Sequence, residues 1–226
     1  MARSAVLDGF EVTAQACGLD VHALLHQARI SQASLQDADL PVPTASVVSL
    51  LEDASVTAGN PSFGILMAQA RSFSVLGPVA LVMREQPDMR GALISLTRLG
   101  WAQAEALEAA LEDDGETAIL TLTLAPDMPR PATQTVELAV AAIVRLLRHF
   151  LGPDWSPQML TFSHRRPVDT GPYARFLGVT PVFRMERNSI VILTTDLDRP
   201  IVDANPAFGR HLERLVASVN RDRGSA

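Results

Sequence analysis

Over the first hundred residues, apolar positions recur every three or four residues between short polar breaks, the spacing that turns one face of a helix toward a core. Within 5–40 the pattern predicts two short helices. Gly18 closes the first and Asp20 caps the second, whose Val21, Leu24, Leu25 and Ala28 share a face. After the break "DADLPVP", Thr44 is placed to cap a helix carrying Val47, Val48, Leu51 and Ala54 that stops at Gly59-Asn60-Pro61, and "SFGILMAQA" resumes the helical spacing. "FSVLGPVALVMREQPDMRGALISLTRLGWAQAE" gives two more helices, separated at Gln86-Pro87-Asp88, with Asp88 as the cap of the second.

The period changes in "EALEAALEDDGETAILTLTL". Leu107, Ala109 and Leu111 alternate with Glu108, Ala110 and Glu112, and after Asp113-Asp114-Gly115 the alternation from Ala118 to Leu124 is cleaner. Strands near 104–112 and 116–124 forming a hairpin follow, although the Ala, Leu and Glu content of the first also suits a helix. "TQTVELAVAAIVRLLRHFLG" returns to helical spacing, with Glu137, Arg145 and Arg148 on one narrow stripe, so the helix is expected to be mostly buried. "PQMLTFSH" reads as a strand, "TGPYARFLG" as a short helix ended by Gly178, and "VFRMERNSIVIL" as a second hairpin with Asn188 in the left-handed turn position. Asn205 caps and Pro206 opens a last helix with Phe208, Leu212, Leu215, Val216 and Val219 on its apolar face. The expected fold class is α+β: a helical N-terminal half, then two β-hairpins and a connecting strand forming a small mixed sheet packed on helices.

Composition narrows the function. A chain of 226 residues with 47% hydrophobic residues fills a sizeable core. Its net charge of −6 argues against a surface that grips nucleic acid unaided. All nineteen basic residues are arginine, a bias that fits a GC-rich bacterial coding sequence. The N-terminal residues lack the apolar run of a secretory signal, which predicts a cytoplasmic protein. The apolar run Val136–Leu147 is interrupted by Arg145 and falls short of the ~20 residues of a membrane span, so none is expected.

The candidate chemistry is sparse. Cys17, the single cysteine, lies in an apolar helix-like run and reads as a structural thiol. His22 and His26 have the i, i+4 spacing of a metal pair, but no acid lies between them and no third ligand is signalled. Glu112, Asp113, Asp114 and Glu116 lack the oxygen spacing of a calcium loop and read as a solvated hairpin tip. In "FSHRRPVDTGPYARFLG", His164 and Asp169 would be base and orienter of a catalytic site, yet no nucleophile or oxyanion donor is marked. The reading preferred here is structural: Phe162 and His164 on one side of a strand, with Tyr173 and Phe176 packed on the sheet. No catalytic, metal-binding or cofactor residues are predicted. For a small-molecule pocket the candidates are Phe73, Met83, Arg98, Trp101 and Gln103 on the helices before the first hairpin, with Val140 and Val144 on the buried helix. Such a set suits an apolar ligand with one anionic end, Arg98 being its charge partner.

"FSVLGPVALVMREQPDMRGALISLTRLG" (Phe73–Gly100), "VELAVAAIVRLLRHFLGPDWSPQMLTFSHRRP" (Val136–Pro167), "YARFLGVTPVFRMERNSIVI" (Tyr173–Ile192) and "LDRPIVDANP" (Leu197–Pro206) together resemble the N-terminal, arabinose-binding-like effector domain of AraC-type bacterial transcription regulators. The resemblance spans nearly the whole chain. It implies a non-enzymatic sensor of a small-molecule effector, a homodimer, and DNA contact only through a C-terminal helix-turn-helix domain that is absent here. On that reading residues 1–204 are the effector-sensing domain and 205–226 a helix leading toward the DNA-binding domain. Two other readings stay open: a small-molecule carrier or metabolic enzyme whose site no motif encodes, and a haem or gas sensor, whose ligating histidine is missing from "LTRLGWAQAEA".

Overall fold

The computed structural model describes residues 1–71, 78–99 and 106–224, with side chains described as far as Ser218. The chain opens with β1 (Ala2–Arg3), α1 (Phe10–Ala16) and α2 (Val21–Gln27), then β2 (Pro41–Val42), which pairs antiparallel with β1. Asp20 caps α2 as its position predicts, its carboxylate accepting from the Ala23 N–H at 3.0 Å. Four helices follow: α3 (Thr44–Thr57), α4 (Phe63–Ala70), α5 (Pro78–Arg84) and α6 (Met89–Leu99). Asp88 caps α6 by accepting from the Gly91 N–H at 2.8 Å. Thr44 does not cap α3. It is the first helical residue, Pro43 holds the cap position without a side-chain bond, and the Thr44 hydroxyl is buried without a partner among the described residues.

The second half is built on β3 (Leu107–Asp113), β4 (Thr117–Leu124), α7 (Thr133–Leu151), β5 (Met159–Phe162), α8 (Gly171–Leu177), β6 (Val182–Phe183), β7 (Asn188–Leu193), α9 (Thr194–Leu197) and α10 (Pro206–Gly224). The first hairpin forms, with Leu107 opposite Leu124 and Asp113 opposite Ala118. Asp113 and Asp114 serve its turn, accepting from the N–H groups of Gly115, Glu116 and Thr117. Of the expected strand 104–112, residues 104 and 105 lie outside the described residues.

The second hairpin does not form. β6 lies parallel to β5, at the edge of a five-stranded sheet ordered β3-β4-β7-β5-β6, while β7 pairs antiparallel with β4 and β5. A strand edge already supplied by β5 takes β6, and Arg184, not Asn188, adopts the left-handed backbone (φ 61°). Asn188 belongs to β7, and its Oδ1 accepts from the Ser163 N–H at 2.8 Å, closing the end of β5. The fold is therefore α+β, with one mixed sheet of five strands and a small antiparallel pair packed on helices.

α7 is the central support. It packs against α3, α4 and α8 and against β4 and β7. Contact with α4 is so close that a Cβ on Gly64 would stand 2.3 Å from the Gln134 carbonyl oxygen. The Gln134 side chain reinforces this joint, accepting from the Gly64 N–H at 2.8 Å and donating to the Pro61 carbonyl at 3.1 Å. The polar stripe expected along α7 is not solvated: Arg145 donates to the carbonyls of Ala68 and Arg71, Arg148 to those of Trp155 and Phe176, and Glu137 is fully buried. α10 rests on α5 and α6. Asn205 caps it, accepting from the Phe208 N–H at 3.1 Å, and Glu213 accepts from Gln86 and Ser95.

Candidate functional site

Among the described residues, two cavities and one buried polar network are candidates for a functional role. The network grows from the stretch around His164. Phe162, Tyr173 and Phe183 form an aromatic cluster, with Phe162 and Phe183 stacked at 5.8 Å and Tyr173 meeting Phe162 edge-on at 6.3 Å. Tyr173 is fully buried, and its hydroxyl donates to Glu137 Oε1 at 2.6 Å. His164 Nδ1 lies 3.0 Å from the Arg165 carbonyl, and Nε2 lies 3.2 Å from Glu137 Oε1, in ion-pair contact rather than an aligned hydrogen bond. Both ring nitrogens thus face acceptors, which suits the imidazolium.

Burial pushes the Glu137 carboxyl up from the usual range, against the pull of His164 and Tyr173. Burial also works against a charged His164, but the adjoining Glu137 carboxylate outweighs it and pushes the imidazole up. Burial, helped by Glu137, raises the Tyr173 phenol. Asp169, the imagined orienter of His164, instead accepts from the Gly171 N–H at 2.8 Å at the start of α8. The network's contacts join α7, α8 and the sheet.

A pocket of about 330 Å³ opens beside His164, between the end of β4, the start of α7 and the turn before β7. Its lining also carries Arg130, Glu186 and Arg187, and part of its polar surface is taken up by contacts among the walls. Ser163 donates to Asn188 at 3.1 Å, Asn188 donates to the Leu122 carbonyl at 3.4 Å, and His164 faces Glu137.

The second cavity, of about 90 Å³, is different in kind. One wall is the α3 face carrying Thr44, Val47, Val48 and Leu51, and the opposite wall is Thr135, Leu138 and Ala139 of α7. Ala2 and Val6 close one end, and Arg71, Ala106 and Leu107 line the side toward the hairpin. The lining is apolar except for three side chains, and each of those has a buried polar atom without a partner among the described residues: Thr44 Oγ1, Thr135 Oγ1 and Arg71 Nε. Native structures leave few such atoms unpaired, and here three border one small cavity. Arg71 is held in place from both ends. Its guanidinium donates to the Val6 carbonyl at 2.9 Å, while its own carbonyl accepts from Arg145 at 2.8 Å. Burial pushes the guanidinium down to about 10, with Asp8 opposing and Arg145 adding to the shift, so it is charged at neutral pH.

The residues expected at a pocket fall partly outside the described residues. Met83, Val140 and Val144 are fully buried in the core and line neither cavity. Arg98 is exposed near the end of α6 and lines neither cavity. Phe73, Trp101 and Gln103 lie outside the described residues. Thr44, Arg71 and Thr135 carried no motif; the nearest signal is an arginine directly after the apolar run "FGILMAQA". His22 and His26 are exposed, and Cys17 is half-buried against the core.

The described residues thus form a helical half joined through a hairpin to a mixed sheet, with a small cavity between α3 and α7. Residues 18–201 match the model of the arabinose-binding domain found at the N-terminus of AraC transcription regulators, and the chain belongs to that family. It is 24% identical over 221 residues to the HTH-type transcriptional regulator VirS of Mycobacterium tuberculosis, in both the CDC 1551 / Oshkosh and the ATCC 25618 / H37Rv strains, a match covering 96% of this chain and 65% of VirS. The chain thus spans somewhat less than two thirds of the length of these relatives. Its fold is that of the transcriptional regulator CdpR from Pseudomonas aeruginosa, with a TM-score of 0.57 and 18% identity over 82% of this chain and 57% of CdpR. Among the described residues, no helix is long and apolar enough to cross a membrane.

Proposed function

We propose that the chain senses a small-molecule effector for an AraC-type regulator that controls gene expression, with the cavity between α3, α7 and Arg71 as its effector pocket. The observation that supports this reading is the set of three unpaired polar atoms around an apolar cavity in a domain of this family. DNA contact belongs to another part of the regulator, consistent with the chain's charge of −6. The regulator works in the cytoplasm as a homodimer, to which α10 contributes the exposed apolar side chains Phe208 and Leu215.

A thermal-shift screen of the chain against metabolites tests the pocket. A ligand at a hundred times its dissociation constant adds about 2.7 kcal/mol, which for a domain of this size raises the melting temperature by about 5–11 °C. Ala139→Leu grows a side chain from the half-buried α7 wall into the cavity and should abolish the shift. A stabilising ligand whose effect survives Ala139→Leu would refute the pocket.

A further inference from the structure

We propose that this cavity recognises a small monocarboxylic acid: a carboxylate received by Arg71 and the hydroxyls of Thr44 and Thr135, with an apolar body lying against Val48 and Leu138. The inference rests on the reading of the cavity as the effector pocket and names the class of effector.

Three features of the lining select that class. Arg71 is the one charged residue among the described lining residues, which favours a ligand with a single negative charge. A cation is repelled, and a dianion would leave one charge unpaired in an apolar enclosure. The unpaired Nε is an N–H donor and each unpaired threonine hydroxyl can turn its O–H to donate, a donor set that suits a carboxylate. Among the described lining residues no acid is available to accept from an amine ligand. The rest of the described lining is aliphatic, and about 90 Å³ is less than the roughly 150 Å³ of an engineered apolar cavity that holds benzene, so the body is a short aliphatic chain, smaller than a ring.

The same arrangement explains an apparent waste. Arg71 is anchored to the Val6 carbonyl through one terminal nitrogen, and that bond fixes the guanidinium without using Nε. Leaving a buried donor and two buried hydroxyls unpaired costs stability in the empty protein. A ligand carboxylate satisfies all three, so the cost is recovered on binding, and compounds lacking acceptors do not recover it.

The test uses the 226-residue chain with two matched pairs of probes, propionate with propan-1-ol and butyrate with butan-1-ol, titrated by calorimetry at pH 7. At least one acid is expected to bind about tenfold or more tightly than its alcohol, the margin of a charge-assisted hydrogen bond over a neutral one. Arg71→Gln should erase that preference. Because Arg71 also holds Val6, Thr135→Val provides the second arm. It removes an unpaired hydroxyl, so the melting temperature of the unliganded chain stays level or rises, while the acid loses several-fold in affinity and the alcohol does not. Acid and alcohol binding equally well, both blocked by Ala139→Leu, would overturn the carboxylate class and leave the pocket reading intact. Acid binding indifferent to Thr135→Val and Ala139→Leu alike would overturn both. Failure of both acids to bind at millimolar concentration would overturn the carboxylate proposal, while the metabolite screen decides the pocket independently.

Discussion

Tyr173→Phe isolates one hydrogen bond in the centre of the fold. The ring stays, with its edge-on contacts to Phe162 and Phe183, and only the hydroxyl that donates to Glu137 at 2.6 Å is lost. Pro61 O lies 3.2 Å from the same hydroxyl, but one proton serves one acceptor well, and the shorter contact, to Glu137, takes it. Glu137 is fully buried and its Oε2 already has no partner among the described residues, so after the substitution His164 alone faces the carboxyl. Leaving the buried carboxyl without this donor costs about 1–3 kcal/mol. For a domain of this length that lowers the melting temperature by about 2–12 °C. Tyr173→Ala removes the ring as well and should cost about 3–5 kcal/mol for the emptied volume in addition.

Melting curves by far-ultraviolet circular dichroism at pH 6 on the unchanged chain, Tyr173→Phe and Tyr173→Ala separate the two contributions. A Tyr173→Phe protein that melts within about 1 °C of the unchanged chain, while Tyr173→Ala falls steeply, would refute the hydrogen-bond argument and leave only ring packing.

The pH dependence follows from the same group of side chains. Glu137 and His164 both have folded values raised above their unfolded ones, so the folded pair holds a proton that the unfolded chain releases above about pH 6.5, and stability is lost as pH rises through the folded values. Denaturation midpoints across pH 6–9 should fall with rising pH in the unchanged chain and flatten in Glu137→Gln; an equal slope in both would reject the linkage. Gly64→Ala places a methyl group 2.3 Å from the Gln134 carbonyl oxygen, backbone that cannot swing aside, and should cost at least about 1–3 kcal/mol; a variant as stable as the parent by thermal melting would contradict the α4–α7 contact. Leu212→Asp with Leu215→Asp, on the half-buried edge and exposed face of α10, should weaken self-association in sedimentation equilibrium, and a strictly monomeric parent chain would remove the dimer from the proposal.

Local chemistry was legible in the sequence. Asp20, Asp88 and Asn205 cap the helices they precede, and Gly178 takes the left-handed conformation (φ 83°) that ends α8. Each depends on neighbours within four residues, where the chain itself fixes the geometry. Misread features depend on distant partners. "VFRMERNSIVIL" has the look of a hairpin, but the pairing of β6 is decided by β5, some twenty residues earlier and open at its edge. Glu137 falls on a polar stripe, yet the segment that covers it comes from α8 and the end of β5, which periodicity along α7 does not contain. Thr44 sits where a cap belongs, and Pro43 occupies the cap position instead, leaving the hydroxyl beside a cavity whose other walls are some 27 and 91 residues further on, at Arg71 and Thr135.

The cavity's place in the chain also bears on how an effector would reach α10. Arg71 and Ala106 both line it, and everything between them in sequence, α5 and α6 included, is joined to the rest of the backbone at those two points. α10 rests on α5 and α6: Glu85 accepts from the Asn205 N–H at 2.9 Å, Glu213 accepts from Gln86 and Ser95, and a Cβ on Gly209 would meet the Glu85 carbonyl oxygen at 2.9 Å. Beyond those points, the turn before α6 is tied to the loop after α9 by the Met89 N–H donating to the Arg199 carbonyl at 3.1 Å and by Arg90 bonding Asp198 at 2.8 Å. A ligand that draws the Arg71 guanidinium and the α3 and α7 hydroxyls together acts where the platform of α10 is anchored, not on α10 itself. Differential affinity of that ligand for two placements of the platform is what would convert occupancy into a change at the C-terminal helix. Substitutions at Gln86 or Ser95 should therefore separate the two halves of the response, leaving ligand affinity in place while loosening the seating of α10.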